Sequence, residues 1–425
     1  MTINRRSSLV FVLTLALTLA AVALGTPAPA QTFSVIHDFA GGADGAFPYD
    51  ALTVSPSGVV YGTAAYGGTY NNGTVFHLNR VNSTWVFSPL YAFTGGNDGS
   101  KPIGGVVFGR NGALYGTTQL GGAAGDGVVY ALRPPSTFCR STSCPWNETI
   151  LHTFTGVPDG MNPWTENLVL DPSGNIYGTT GGGGTYDNGT AFELSPSGGG
   201  YTETILHSFG SGTDGRYPFG GVVVDAAGNV YGSTEAGGPG RACSYGCGTV
   251  FQLTPSNGSW LESIVYNFDV LHGYYPNSDL IRDASGNLYG TAIASGNYGD
   301  GVVFKLAPTG DGFFYSLVHQ FTTDCEPYGA PVMDSAGNFF GTCIYGGDGG
   351  GWVYELTNCS QNCTVIDLHD FTYNGREGAT PWGGPTLDAN GNLYGTTQVG
   401  GTGYCNGDGC GVVWEITGVG APLKK

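Results

Sequence analysis

Positive charge is scarce in this 425-residue sequence: 14 Lys and Arg stand against 32 Asp and Glu, a formal net charge of −18. Such a chain is repelled by polyphosphate backbones and by anionic bilayers, which excludes nucleic acid as a partner. Long apolar runs are missing after the first thirty residues, so no later segment offers the roughly 20 residues that a membrane-spanning helix needs. Helical periodicity is also absent beyond that point. No nucleophile elbow, phosphate-binding loop, dinucleotide fingerprint or H-E-x-x-H pair occurs, so no motif elects a reaction and no cofactor is expected.

What the sequence has in excess is glycine. Seventy-six glycines accompany 40% hydrophobic and 13% aromatic residues, a mixture that points away from disorder and towards many short strands joined by tight turns. Residues 1–30 stand apart. Arg5 and Arg6 precede an apolar run from Leu9 to Leu24, and Thr26-Pro27-Ala28-Pro29-Ala30 leads to Gln31. That order is a secretory signal peptide cleaved after Ala30, which predicts a secreted chain, extracellular or periplasmic, with no membrane insertion. The five residues 421–425 form a short tail without an anchor-like pattern.

Ten cysteines fall into neighbouring pairs: Cys139 with Cys144, Cys243 with Cys247, Cys359 with Cys363, Cys405 with Cys410, and the more distant Cys325 with Cys343. In an exported chain they read as five disulfides. The competing zinc reading is disfavoured because the spacings are wider than C-x-x-C and the pairs fall in different repeats, so no metal site is assigned.

One phrase recurs seven times: Tyr61-Gly62-Thr63, Tyr115-Gly116-Thr117, Tyr177-Gly178-Thr179, Tyr231-Gly232-Ser233, Tyr289-Gly290-Thr291, Phe340-Gly341-Thr342 and Tyr394-Gly395-Thr396, at intervals of 51 to 62 residues. Each copy reads as four strands. In the fourth copy these are 221–225, 230–234, 248–253 and 261–268, with a turn at Asp225-Ala226-Ala227-Gly228-Asn229 between the first two. Four-stranded repeats of this length are the signature of propeller blades, so an all-β, seven-bladed β-propeller is predicted over residues 31–420 as a single domain. The ends imply how it closes. Residues 33–39 match a fourth strand, as in 204–209, whereas the last copy stops after its third strand, 412–416. The N-terminal strand is therefore expected to complete blade 7 and leave no open edge.

The phrase Asn-Leu-Tyr-Gly-Thr-Thr followed by Gly-Gly and Gly-Val-Val, clearest from Asn392 to Val413 and from Leu114 to Val129, resembles the GloVer tandem repeat of exported bacterial proteins. All seven copies fit. The resemblance implies an exported repeat protein and brings no reaction or ligand with it. The strand pattern is similar, more loosely, to NHL-type propellers.

Two sets of residues recur at equivalent positions. A loop leading into each blade carries Asp-Gly-x-x-Pro or a variant, with carboxylates at Asp44, Asp98, Asp159 and Asp214. These could bind calcium or a cationic ligand around a rim, but an Asp that merely caps its own turn explains a motif present in nearly every copy better. Just after the Pro come Tyr49, Ile103, Trp164, Phe219, Asn277, Tyr328 and Trp382, where the chain approaches the channel mouth. Five are aromatic and could stack on sugar rings; packing between blades is the competing explanation. His37, His152, His207, His319 and His369 share one position of the fourth strand and read as packing residues on separate outer strands. Blade 6, with a shortened loop bearing Cys325, is the expected break in the symmetry.

Three functions follow in order of preference. The first is a monomeric, non-enzymatic binding module whose partner is an extracellular glycan or another envelope protein. The second is a carbohydrate-active lyase or hydrolase at the channel, and the third is a structural component of the envelope.

Overall fold

Side-chain volume explains why the Tyr-Gly-Thr phrase repeats. In each copy it forms the second strand, and its glycine lies opposite an aromatic residue of the third strand: Gly62 opposite Phe76, Gly178 opposite Phe192, Gly395 opposite Trp414. A Cβ on Gly178 would stand 2.7 Å from Phe192 Cζ, and one on Gly395 2.2 Å from Trp414 Cζ2. The ring thus occupies the space that any larger residue would need. The threonine ties neighbouring copies together. Thr63 Oγ1 donates to the Gly104 carbonyl at 3.0 Å, Thr179 to Gly220 at 3.0 Å, and Thr342 to Gly383 at 3.0 Å, each reaching the innermost segment of the next repeat.

The computed structural model describes residues 31–135, 145–164, 167–210, 213–240, 242–295, 300–359, 363–373 and 375–420. They form seven four-stranded antiparallel sheets arranged as blades around a channel. In blade 4 the strands are Val222–Val224, Val230–Thr234, Thr249–Ser256 and Ser259–Asn267, running from the channel outwards. The predicted second strand is reproduced residue for residue. The third and fourth meet in a tighter hairpin than predicted, with Ser256 paired to Ser259. First strands are only two or three residues long, because a tight turn closes immediately behind them, with the sequence D-x-x-G-N in blades 3 to 7. In blade 4, Asp225 Oδ1 accepts the backbone N–H groups of Ala227 at 2.8 Å and Asn229 at 2.9 Å.

Blade 7 is completed as expected. Thr32–Asp38 pairs antiparallel with Val412–Thr417, and Val35 faces Trp414 across the ladder. Seven clusters of buried apolar residues fill the structure, each drawn mainly from two adjacent blades, so the core lies in the seams. Phe76, Phe192, Phe251 and Phe304 are fully buried there. Each stabilises its seam by about 1.5–3 kcal/mol of apolar transfer.

Four disulfides join Cys243 to Cys247, Cys325 to Cys343, Cys359 to Cys363 and Cys405 to Cys410. They suit an oxidising, extracellular or periplasmic environment. Among the described residues no helix is long and apolar enough to cross a membrane. The predicted signal peptide, the predicted Cys139–Cys144 pair and the 421–425 tail lie outside the described residues.

Candidate functional site

The turn into each blade delivers one residue to the channel mouth. Its proline packs against a glycine of the preceding blade: a Cβ on Gly411 would lie 2.7 Å from Pro48 Cδ, and one on Gly127 2.7 Å from Pro163 Cδ. This contact sets the direction of Tyr49 and Trp164. All seven predicted positions, Tyr49, Ile103, Trp164, Phe219, Asn277, Tyr328 and Trp382, line one cavity of about 390 Å³, together with Asp50, Gly104, Glu235 and Gln398. Its size falls in the range of about 300–1,000 Å³ usual for small-molecule sites.

The rings form two groups. Tyr328 and Trp382 meet edge-on at 4.4 Å between centroids, and Tyr49 lies 6.3 Å from Trp382. Trp164 and Phe219, from blades 3 and 4, sit 5.7 Å apart. Gln398 fixes the first group, accepting from Trp382 Nε1 at 2.6 Å and donating to the Tyr49 hydroxyl at 2.8 Å. Trp164 is 40% exposed, so its ring is open to a ligand as well as to its neighbour.

Carboxylates break the sevenfold repetition. Asp50 is 5% exposed and accepts backbone N–H groups from Ala51 at 2.6 Å and Gly105 at 2.5 Å. Burial, reinforced by the facing Asp279, pushes its carboxyl well above the ordinary range despite those donors. Asp279 is pushed up to about 6 by burial, against donors from Gly221 N and Asn167 Nδ2. Glu235 is raised by burial alone. Sequence reasoning missed Asp50, Glu235, Asp279 and Gln398. A signal existed for Asp50, four of whose six equivalents are glycine: Gly104, Gly220, Gly329 and Gly383. Blade 6, the expected symmetry breaker, contributes Tyr328 to the lining.

The Asp-Gly carboxylates lie elsewhere, each within its own turn. Asp44 accepts from Ala40 N at 2.8 Å, Asp98 from Thr94 N at 2.7 Å, Asp159 from Thr155 N at 2.9 Å and Asp214 from Gly210 N at 3.0 Å. None of them lines the cavity. The histidine column also does more than pack. His152 Nε2 lies 3.3 Å from Asp159 and 3.5 Å from Glu203 of the next blade; His207 Nε2 lies 2.8 Å from Asp214 and 3.8 Å from Glu262. In each group the three potential ligand atoms lie within 4.8 Å of one another, so among the described residues these are the clusters that could hold a metal ion. Tyr91 takes the imidazole's place at the seam of blades 1 and 2, donating to Asp98 at 3.1 Å and Glu148 at 2.9 Å.

A family profile described as the Gloeobacter/Verrucomicrobia repeat matches four overlapping stretches, residues 24–147, 90–281, 140–329 and 240–422. No curated protein matches the sequence. Among solved structures, a provisionally named 6-phosphogluconolactonase from Bacteroides uniformis superposes with a TM-score of 0.46 at 14% identity, over 76% of this chain and 84% of that one. A provisionally named gluconolactonase gives 0.43 at 13% identity, over 93% and 95%. A Thermus thermophilus protein provisionally named an oxidoreductase (glucose dehydrogenase) gives 0.44 at 12% identity, over 91% and 99%.

Proposed function

Because the chain belongs to the Gloeobacter/Verrucomicrobia repeat family and its repeats close here into a seven-bladed propeller, we propose that it is an exported binding module that holds one small ring-shaped ligand, a glycan unit, in the axial cavity. The observation that carries this reading is the convergence of five aromatic side chains from five blades on one cavity, beside the polar groups of Asn277 and Gln398. Ring faces stack on the apolar faces of sugars while amides and carboxylates fix their hydroxyls. Glycan titration followed by intrinsic tryptophan fluorescence tests it. Saturable binding should be lost in Trp164→Ala and Trp382→Ala; affinity unchanged in both variants would refute the site.

A second reading, a carbohydrate-active enzyme, draws on Asp50 and Asp279, two carboxyls held near one another with raised pKa. Turnover of a bound glycan that disappears in Asp50→Asn would favour it over simple binding.

A further inference from the structure

We infer that the ligand of the axial cavity is an organic ammonium ion, because the cavity presents aromatic faces and two carboxylates, and none of its described lining residues is Lys, Arg or His. This deepens the reading of the cavity as a ligand site and rests on it. A cation over the face of Trp or Tyr is attracted by the ring quadrupole, more strongly as water is excluded. Three such rings, Tyr49, Tyr328 and Trp382, crowd one wall.

The carboxylates supply what a neutral ligand would leave uncompensated. Asp50 already accepts two backbone hydrogen bonds, so its oxygens are largely committed to the wall. Glu235 is different. It lines the cavity and its carboxyl has no hydrogen-bond partner among the described residues, so its oxygens are available to an N–H group of the ligand. A neutral sugar closed over these groups returns only hydroxyl donors for their remaining water, whereas an ammonium returns N–H donors and a compensating charge. The molecule already uses such a contact elsewhere: the Lys101 ammonium lies over the Tyr66 ring at 5.2 Å. The net charge of −18 draws cations towards the protein.

The ammonium could belong to an amino sugar or to an alkylammonium compound, and paired probes separate these. Isothermal titration of the mature chain would use glucosamine against N-acetylglucosamine, and choline against its neutral isostere 3,3-dimethylbutanol. The charged member of one pair should bind at least tenfold more tightly than the neutral member, and Glu235→Gln should reduce that preference to less than threefold. Equal affinities within both pairs, abolished by Trp382→Ala, would overturn the cationic assignment and leave the pocket reading standing. A preference that survives Glu235→Gln and Asp50→Asn together would also overturn it. Binding of none of the four probes overturns the assignment too, and the glycan titration then decides alone whether the pocket reading falls with it.

Discussion

Gln398 donates its side-chain amide to the Tyr49 hydroxyl at 2.8 Å, joining two residues 349 apart in sequence across the wall of the axial cavity. The same seam holds the Thr396 hydroxyl on the Asp50 carbonyl at 3.0 Å and the pairing of Thr32–Asp38 with Val412–Thr417. The candidate site is therefore assembled where the ring closes, and its geometry depends on that closure.

Breaking the closing ladder should damage fold and site together. Ser34→Pro removes a donor opposite Glu415 in the middle of the pairing. Leaving that edge unsatisfied costs about 1–3 kcal/mol per lost partner and exposes a strand template. Thermal melting and size-exclusion chromatography are expected to show a lowered Tm and self-association. An unchanged Tm would mean that the N-terminal strand does not complete blade 7.

The glycine of the Tyr-Gly-Thr phrase provides a matched pair of variants. Gly178→Ala places a methyl group 2.7 Å from Phe192 Cζ, whereas at Gly42 a methyl group meets nothing within 4 Å. The first should cost about 1–3 kcal/mol by overpacking, and the second should stay within about 0.5 kcal/mol of wild type. Chemical denaturation of both measures the difference, and equal stabilities would refute the steric explanation of the motif.

The seam clusters predict how stability depends on pH. Burial, with Asp214 adding to it, pushes Glu262 up to about 7, and burial does the same for Glu203 beside Asp159. Burial opposes the charged forms of His152 and His207, but hydrogen bonds to Asp159 and Asp214 outweigh it and raise both. Groups raised in the folded state contribute stability that is present below their unfolded pKa and lost as pH rises through the folded value. For the two glutamates that window runs from 4.5 to about 7. Asp159 and Asp214 are lowered and act oppositely, losing stability as pH falls below 3.8. The wild-type Tm should therefore fall between about pH 5 and pH 8, and the Glu203→Gln/Glu262→Gln double variant, which mimics the protonated acids, should fall less. Parallel Tm profiles for the two proteins would show that these clusters do not set the dependence.

Much of this was legible in the sequence because repetition averages over local accidents. Seven Tyr-Gly-Thr phrases locate seven second strands, and counting from each proline locates the residue that reaches the axis, so Tyr49 and Trp382 could be placed at one mouth before any coordinates. Function resides in the exceptions. Asp50 occupies a column otherwise held largely by glycine, and Glu235 and Gln398 share a column with Ala65, Gly181 and Ile293, where no pattern marks an acid or an amide as meaningful. The pairing of His207 with Glu262 was hidden for another reason. It joins outer strands of different blades, a contact set by the angle between neighbouring sheets, which the strand pattern does not encode.

The stoichiometry of ligand binding tests the axial site most directly, because a site on the axis is unique whereas sites on repeated loops are multiple. Isothermal titration with the tightest probe from the paired set should give one equivalent per chain, abolished in Trp382→Ala and preserved in Asp159→Ala. Several equivalents per chain, or a single equivalent lost in Asp159→Ala and retained in Trp382→Ala, would place binding on the Asp-Gly loops and contradict the axial site.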